Sequence, residues 1–113
     1  FSAMKHVGLN VAADPLYTIS YSGVNGGLVI AVADDPGMHS SQNEQDSRHH
    51  AIASKVMMIE PSNSSECKEF AKTAFELSEK FDTPVIVRLS QEFHIHRVLL
   101  NFANVRKDLL KNM

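Results

Sequence analysis

Three features of this sequence predict an α/β fold with a mainly parallel sheet. Short apolar runs alternate with helix-spaced patterns along the chain. Two of those runs are separated by a helical pattern of about twenty residues, long enough for a crossover between parallel strands. A third run, Gly27-Leu28-Val29-Ile30-Ala31-Val32-Ala33, empties into the polar stretch Asp34-Asp35-Pro36-Gly37-Met38-His39-Ser40-Ser41-Gln42-Asn43-Glu44-Gln45-Asp46. In parallel sheets ligands dock outside the carboxyl ends of the strands, so a buried strand opening into such a loop points to chemistry rather than packing.

The elements follow in order. Met4-Lys5-His6-Val7-Gly8 reads as the end of a strand passing into a turn and a helix. A first strand this short carries the expectation that the chain begins in mid-domain, as a piece of a longer protein. Leu9, Ala12, Ala13, Leu16 and Ile19 recur at helical intervals. Pro15 lies within them, so either Asp14 caps a helix starting at Pro15 or a longer helix from Leu9 is kinked there. Gly23 stops the helix and Asn25-Gly26-Gly27 turns into the strand at 28–33. After the polar loop, residues 47–54 form a short helix and 56–60 a strand closed by Pro61.

The best-defined element comes next. Ser62 or Asn63 is a good N-cap, and Glu66 stands three residues after Asn63, as a capping box requires. Cys67, Phe70, Ala71, Ala74, Phe75, Ser78 and Phe81 then mark one apolar stripe, with Lys and Glu opposite. The stripe reads as core, and Cys67 as a buried structural thiol. Asp82-Thr83-Pro84 ends this helix, and 85–89 is a further strand. From Phe93 to Met113, Val98, Leu99, Phe102, Val105 and Leu109 with interspersed Arg and Lys describe an amphipathic helix whose partner surface the pattern does not reveal.

Composition narrows the function classes. The chain has 113 residues, room for one domain. Its net charge of −2 offers no electrostatic case for nucleic acid or an anionic membrane. No apolar run approaches the roughly 20 residues that span a bilayer. The N-terminus lacks a signal-peptide core, and a single cysteine makes neither an internal disulfide nor an iron–sulfur cluster. The expectation is a cytoplasmic protein. His49 and His50 diverge by about 100° on a helix, and His94 and His96 share a side only on a strand, so no metal site is expected.

Lys5-His6-Val7-Gly8-Leu9-Asn10-Val11-Ala12-Ala13-Asp14-Pro15, then Gly26-Gly27-Leu28-Val29-Ile30 and the 34–46 loop, resemble the alpha subunit of indolepyruvate ferredoxin oxidoreductase. Glu60-Pro61-Ser62 and Thr83-Pro84-Val85-Ile86-Val87-Arg88 fit the same register. The resemblance covers roughly residues 4–89 and departs from Gln91 onward. It implies a three-layer fold, with the sheet between helices. Residues 1–90 would be part of the domain that holds the pyrimidine ring of thiamine diphosphate, and 91–113 a C-terminal tail. The implied reaction is oxidative decarboxylation of an aryl 2-oxo acid such as indolepyruvate to an acyl-CoA, with electrons leaving through iron–sulfur clusters to ferredoxin. Implied partners are the remainder of the alpha subunit, a beta subunit, ferredoxin, CoA and the 2-oxo acid, with homo-oligomerisation open. The family's activating glutamate falls upstream of Lys5, and the Gly-Asp-Gly anchor for Mg2+ and diphosphate does not occur here. The isolated chain is therefore expected to be inactive. The alternative is a non-catalytic α/β binding or assembly domain that keeps only the fold.

On this resemblance, His6 and Lys5 are the candidate catalytic residues, supplying a charge or proton toward the oxo-acid carboxylate or the reacting carbon. Asn10, His39, Gln42, Asn43 and Asp46 are candidates for substrate or cofactor contact, the loop closing over the intermediate to exclude water. Each has a plainer reading. Lys5 is solvated, Asn10 caps a helix, the loop polar groups form turns, and Asp46 caps the helix near Ser47. Asp34-Asp35-Pro36 reads as a strand end entering a turn.

Overall fold

The computed structural model describes residues 1–90 and 95–112, apart from the side chains of residues 95–99 and 101. The expectation for His94 and His96 lies outside the described residues and side chains. The elements are β1 (Ser2–Lys5), α1 (His6–Val11), α2 (Ala13–Ser22), β2 (Val29–Asp34), α3 (Arg48–Ser54), β3 (Met57–Ile59), α4 (Ser64–Phe81), β4 (Val85–Ser90) and α5 (Ile95–Lys111). The strands form one sheet in the order β1-β2-β4-β3, and every pair is parallel. All four carboxyl ends therefore lie along one rim. The β3–α4–β4 unit is the anticipated crossover between neighbouring strands.

The sheet is covered on both faces, the three-layer arrangement the resemblance implied. Because strand side chains alternate between faces, Val29, Ala31, Val85, Val87 and Leu89 pack with Cys67, Ala71, Ala74 and Phe75 of α4 and Phe102 and Val105 of α5. Ile30, Val32 and Ile86 point the other way, onto Leu9 of α1, Leu16 of α2, Ala51 of α3 and Val56. Every residue of β2 is buried, which explains its unbroken apolar run.

Neither reading of residues 9–22 holds as stated. The helical region begins earlier, at His6, and breaks at Ala12 (φ −85°, ψ 11°) into two helices. Pro15 falls in the first turn of α2, where its missing N–H has no intrahelical partner to lose, so it causes no kink. Asp14 is in that first turn rather than at the cap, where it still favours the positive end of the helix dipole. Gly23 does end α2. Its φ of 78° lies in the left-handed region, and its N–H donates to Ile19 O at 2.9 Å.

At the start of α4, Asn63 Oδ1 accepts from the N–H groups of Ser65 and Glu66, each at 3.0 Å. Glu66 reaches back one residue further than the box pattern, accepting from Ser62 N at 2.8 Å and Ser62 Oγ at 2.7 Å. Those bonds hold its carboxyl below the usual range. Cys67 is fully buried, and burial pushes its thiol up. The aromatic stripe is only partly core. Phe75 is buried, Phe70 is half-buried, and Phe81 is 54% exposed with Lys80 Nζ 5.3 Å from its ring centre. Phe81 is the last residue of α4, where the chain is already turning through Asp82 toward β4. The tail finds its partner surface on α4 and the sheet, with Phe102 also stacked on Phe1 at 5.2 Å between ring centres. No helix among the described residues is long and apolar enough to cross a membrane.

Candidate active-site rim

Parallel pairing of β1 with β2 sets Lys5 beside Ala33, so the chain leaves β1 next to the start of the polar loop. That juxtaposition brings most of the expected residues together. His6, the first residue of α1, is fully buried, and its Nε2 lies 2.9 Å from Asn43 O. A carbonyl oxygen can only accept, so Nε2 carries the hydrogen. Nδ1 is the one buried side-chain polar atom without a hydrogen-bond partner among the described residues. Lys5 Nζ donates to Ser40 O at 3.0 Å and Ser40 Oγ at 3.2 Å, and sits 3.6 Å from Asp35 Oδ2. Asn10 Nδ2 donates to Gln45 Oε1 at 3.1 Å, and Gln45 Nε2 donates to Asn43 Oδ1 at 2.8 Å. Asn10 therefore braces the loop from α1 instead of capping a helix.

The remaining candidates stand apart from His6. His39 is exposed and uses its backbone N–H, which donates to Asp35 Oδ1 at 3.1 Å. Gln42 is exposed and makes no hydrogen bond among the described residues, although it adjoins Asn43 on the same rim. Asp46 Oδ1 accepts from Arg48 N at 3.0 Å, as a helix-capping residue would, and lies 3.8 Å from Arg88 Nε.

Two aspartates hold the loop in this shape. Asp35 is fully buried and accepts from His39 N, from Ser40 N at 2.9 Å and from Ser41 Oγ at 2.7 Å. Burial alone would raise its carboxyl. The Ser40, Ser41 and His39 hydrogen bonds, with the Lys5 charge, outweigh burial and bring it down to about 2 from an ordinary 3.8. A depressed carboxyl stabilises the fold above the unfolded value. This contribution should thus be complete above pH 3.8 and be lost as the pH falls through about 2. Carbon NMR of the Asp35 carboxyl should show that low midpoint. A midpoint at 3.8 would mean the three donors are not held in solution.

Asp34 is buried on the other side of the strand end. It accepts from Ser47 N at 3.0 Å, from Ser47 Oγ, and from Arg88 Nε at 2.7 Å. Arg88 Nη1 also lies 3.4 Å from Glu60 Oε2, and Arg48 Nε donates to Glu60 Oε1 at 2.8 Å. The Glu60 hydrogen bond and charge raise the Arg48 guanidinium further. Sequence reasoning did not single out this cluster. A signal was present, because one arginine within Val85-Ile86-Val87-Arg88-Leu89 must find carboxylates if the strand is buried. An open groove of about 590 Å³ beside α3 and β3, lined by Arg48, Ile52, Lys55, Met58 and Glu60 among others, contains none of the expected residues. Among the described residues, no group of three His, Cys, Asp or Glu side chains is placed to hold a metal ion.

The chain is 56% identical over 87 residues, 77% of its length, to the indolepyruvate oxidoreductase subunit IorA of Archaeoglobus fulgidus. It is 60% identical over 87 residues to that of Thermococcus kodakarensis. It is 53% identical over 111 residues, 98% of its length, to that of Methanothermobacter marburgensis, so in this relative the likeness continues past Gln91, contrary to the expected departure there. The chain spans 14% of the first of these relatives, 13% of the second and 18% of the third. No protein-family model and no solved structure matches it. By this shared sequence, over 77–98% of its own length, the chain belongs to the family of the indolepyruvate oxidoreductase subunit IorA.

Proposed function

We propose that this chain supplies the substrate-facing rim of a thiamine-diphosphate-dependent oxidoreductase subunit. The enzyme decarboxylates and oxidises aryl 2-oxo acids such as indolepyruvate to acyl-CoA, with a beta subunit and ferredoxin as partners. The observation that carries this reading is convergence. In a chain 52–60% identical to subunits of that name, Lys5, His6 and Asn10 meet the 35–47 loop at the carboxyl ends of parallel strands.

The described residues do not by themselves fit thiamine diphosphate and Mg2+. Both buried aspartates at the rim are committed to internal partners, so neither is open to a pyrimidine nitrogen. The cofactor and the iron–sulfur clusters belong, in this reading, to other parts of the enzyme. This chain's share is local. The loop excludes water from His6, Asn43 O fixes the hydrogen on Nε2, and Nδ1 is left as the nitrogen that can meet a ligand. Lys5, the preceding residue, holds a positive charge against the same loop at Ser40, suited to an anionic oxo acid though partly offset by Asp35.

A transplant tests this. The matching segment of the Thermococcus kodakarensis subunit is replaced by this chain's residues, and oxidation of indolepyruvate is followed with thiamine diphosphate, Mg2+, CoA and ferredoxin. The hybrid should turn over, and His6→Gln within it should lower kcat on the order of 10²–10⁴-fold. The isolated chain should give no acyl-CoA. One observation favours the non-catalytic alternative, since His6 is fully sealed and the loop's polar arms are largely spent on one another. Full activity in the His6→Gln hybrid would establish that alternative.

A further inference from the structure

Arg88 occupies an unusual place for a charged side chain. It sits on β4, between β2 and β3, and its side chain is only 11% exposed. Its guanidinium meets carboxylates from three successive parts of the chain: Asp34 at the end of β2, Asp46 just before α3, and Glu60 just after β3. Asp34 and Asp46 stand at the two feet of the polar loop. Asp34 in turn receives both the N–H and the hydroxyl of Ser47, which is fully buried. The Arg88–Asp34–Ser47 chain thus closes the base of the loop, while its crown carries Asn43, whose carbonyl holds His6.

We infer that Arg88 is a positioning residue: it fixes both feet of the 35–47 loop, and through the loop it sets the hydrogen bond that orients His6. It touches neither His6 nor any reacting group. Planar geometry is essential to this role, because Nε serves Asp34 while Nη1 serves Glu60. A lysine carries the same charge as a single point and cannot serve both at fixed angles. The catalytic consequence rests on the function proposed above, whereas the structural coupling does not.

The experiment uses the full chain labelled uniformly with nitrogen-15. Hydrogen exchange at His6 Nε2 is read against the amides of Ile86 and Val87, and global stability is measured in urea. Arg88→Lys keeps the charge and Ser47→Ala removes one link to the loop's foot. Each should speed exchange at His6 Nε2 roughly tenfold beyond what the change in global stability accounts for, as local opening of the loop predicts. The strand amides should follow global stability alone. Exchange at His6 that stays unchanged in both variants, or that merely tracks the strand amides, overturns the inference. In the hybrid subunit, Arg88→Lys should lower kcat with KM nearly unmoved. If the unsubstituted hybrid fails to oxidise indolepyruvate, the functional reading falls while the exchange result still decides the coupling.

Discussion

Arg88→Met should lower the unfolding free energy by about 3–5 kcal/mol, a large share of the roughly 5–15 kcal/mol available to a domain of this size. The loss comes mainly from what is left behind. Asp34 is 1% exposed, and Arg88 is its only ion-pair partner among the described residues. Without that cation the carboxylate keeps the two Ser47 donors but stays buried and uncompensated. The reverse change is milder. Asp34→Asn leaves Arg88 with Glu60 at 3.4 Å and Asp46 at 3.8 Å, and the amide oxygen still accepts from Ser47. The double variant Asp34→Asn, Arg88→Met should accordingly recover much of the loss, because no charge is then stranded. Urea unfolding of the four proteins measures the cycle. Equal costs for the two single variants would show that Asp34 is not the group that depends on Arg88.

A comparable loss, about 3–5 kcal/mol, is expected for Phe102→Ala. Phe102 is fully buried, joins the cluster built on β2, β4 and α4, and stacks on Phe1. Leu100→Ala, on the same helix but 64% exposed, should change stability by no more than about 0.5 kcal/mol. This contrast also measures the division at residue 90 that the sequence suggested. A tail folding apart from residues 1–90 would make the two alanine variants equally harmless in a melt that reports on the sheet. Phe102 sits in the same buried cluster as Val29 and Val87, so the two parts should melt together.

The architecture was legible because burial leaves a period in the sequence. The unbroken apolar run of β2, the run of β4 interrupted by Arg88, and the three-and-four spacing of Cys67, Ala71, Ala74 and Phe75 each reflect a surface covered by another layer. The break at Ala12 was not legible, because Pro15 is the conspicuous breaker there and happens to fall where a helix tolerates it. Phe81 misled for a related reason, since helical spacing continues to the last turn whether or not the sheet still lies beneath it.

For the rim, sequence alone determined which polar groups would be concentrated after β2, because a loop with little to bury must draw on hydrogen-bonding residues. It also marked Lys5, His6 and Asn10 as neighbours on the chain. Only tertiary structure decided what each group meets. Parallel pairing set Lys5 beside Ala33 and so carried His6 under Asn43, a partner 37 positions away. The register of β2 on β4 set Val32 opposite Arg88, bringing Arg88 within reach of Asp34. Such contacts form between segments remote in sequence. Local composition holds no record of which strands become neighbours, and that choice fixes which charges are paired and which nitrogen of His6 is buried without a hydrogen-bond partner among the described residues.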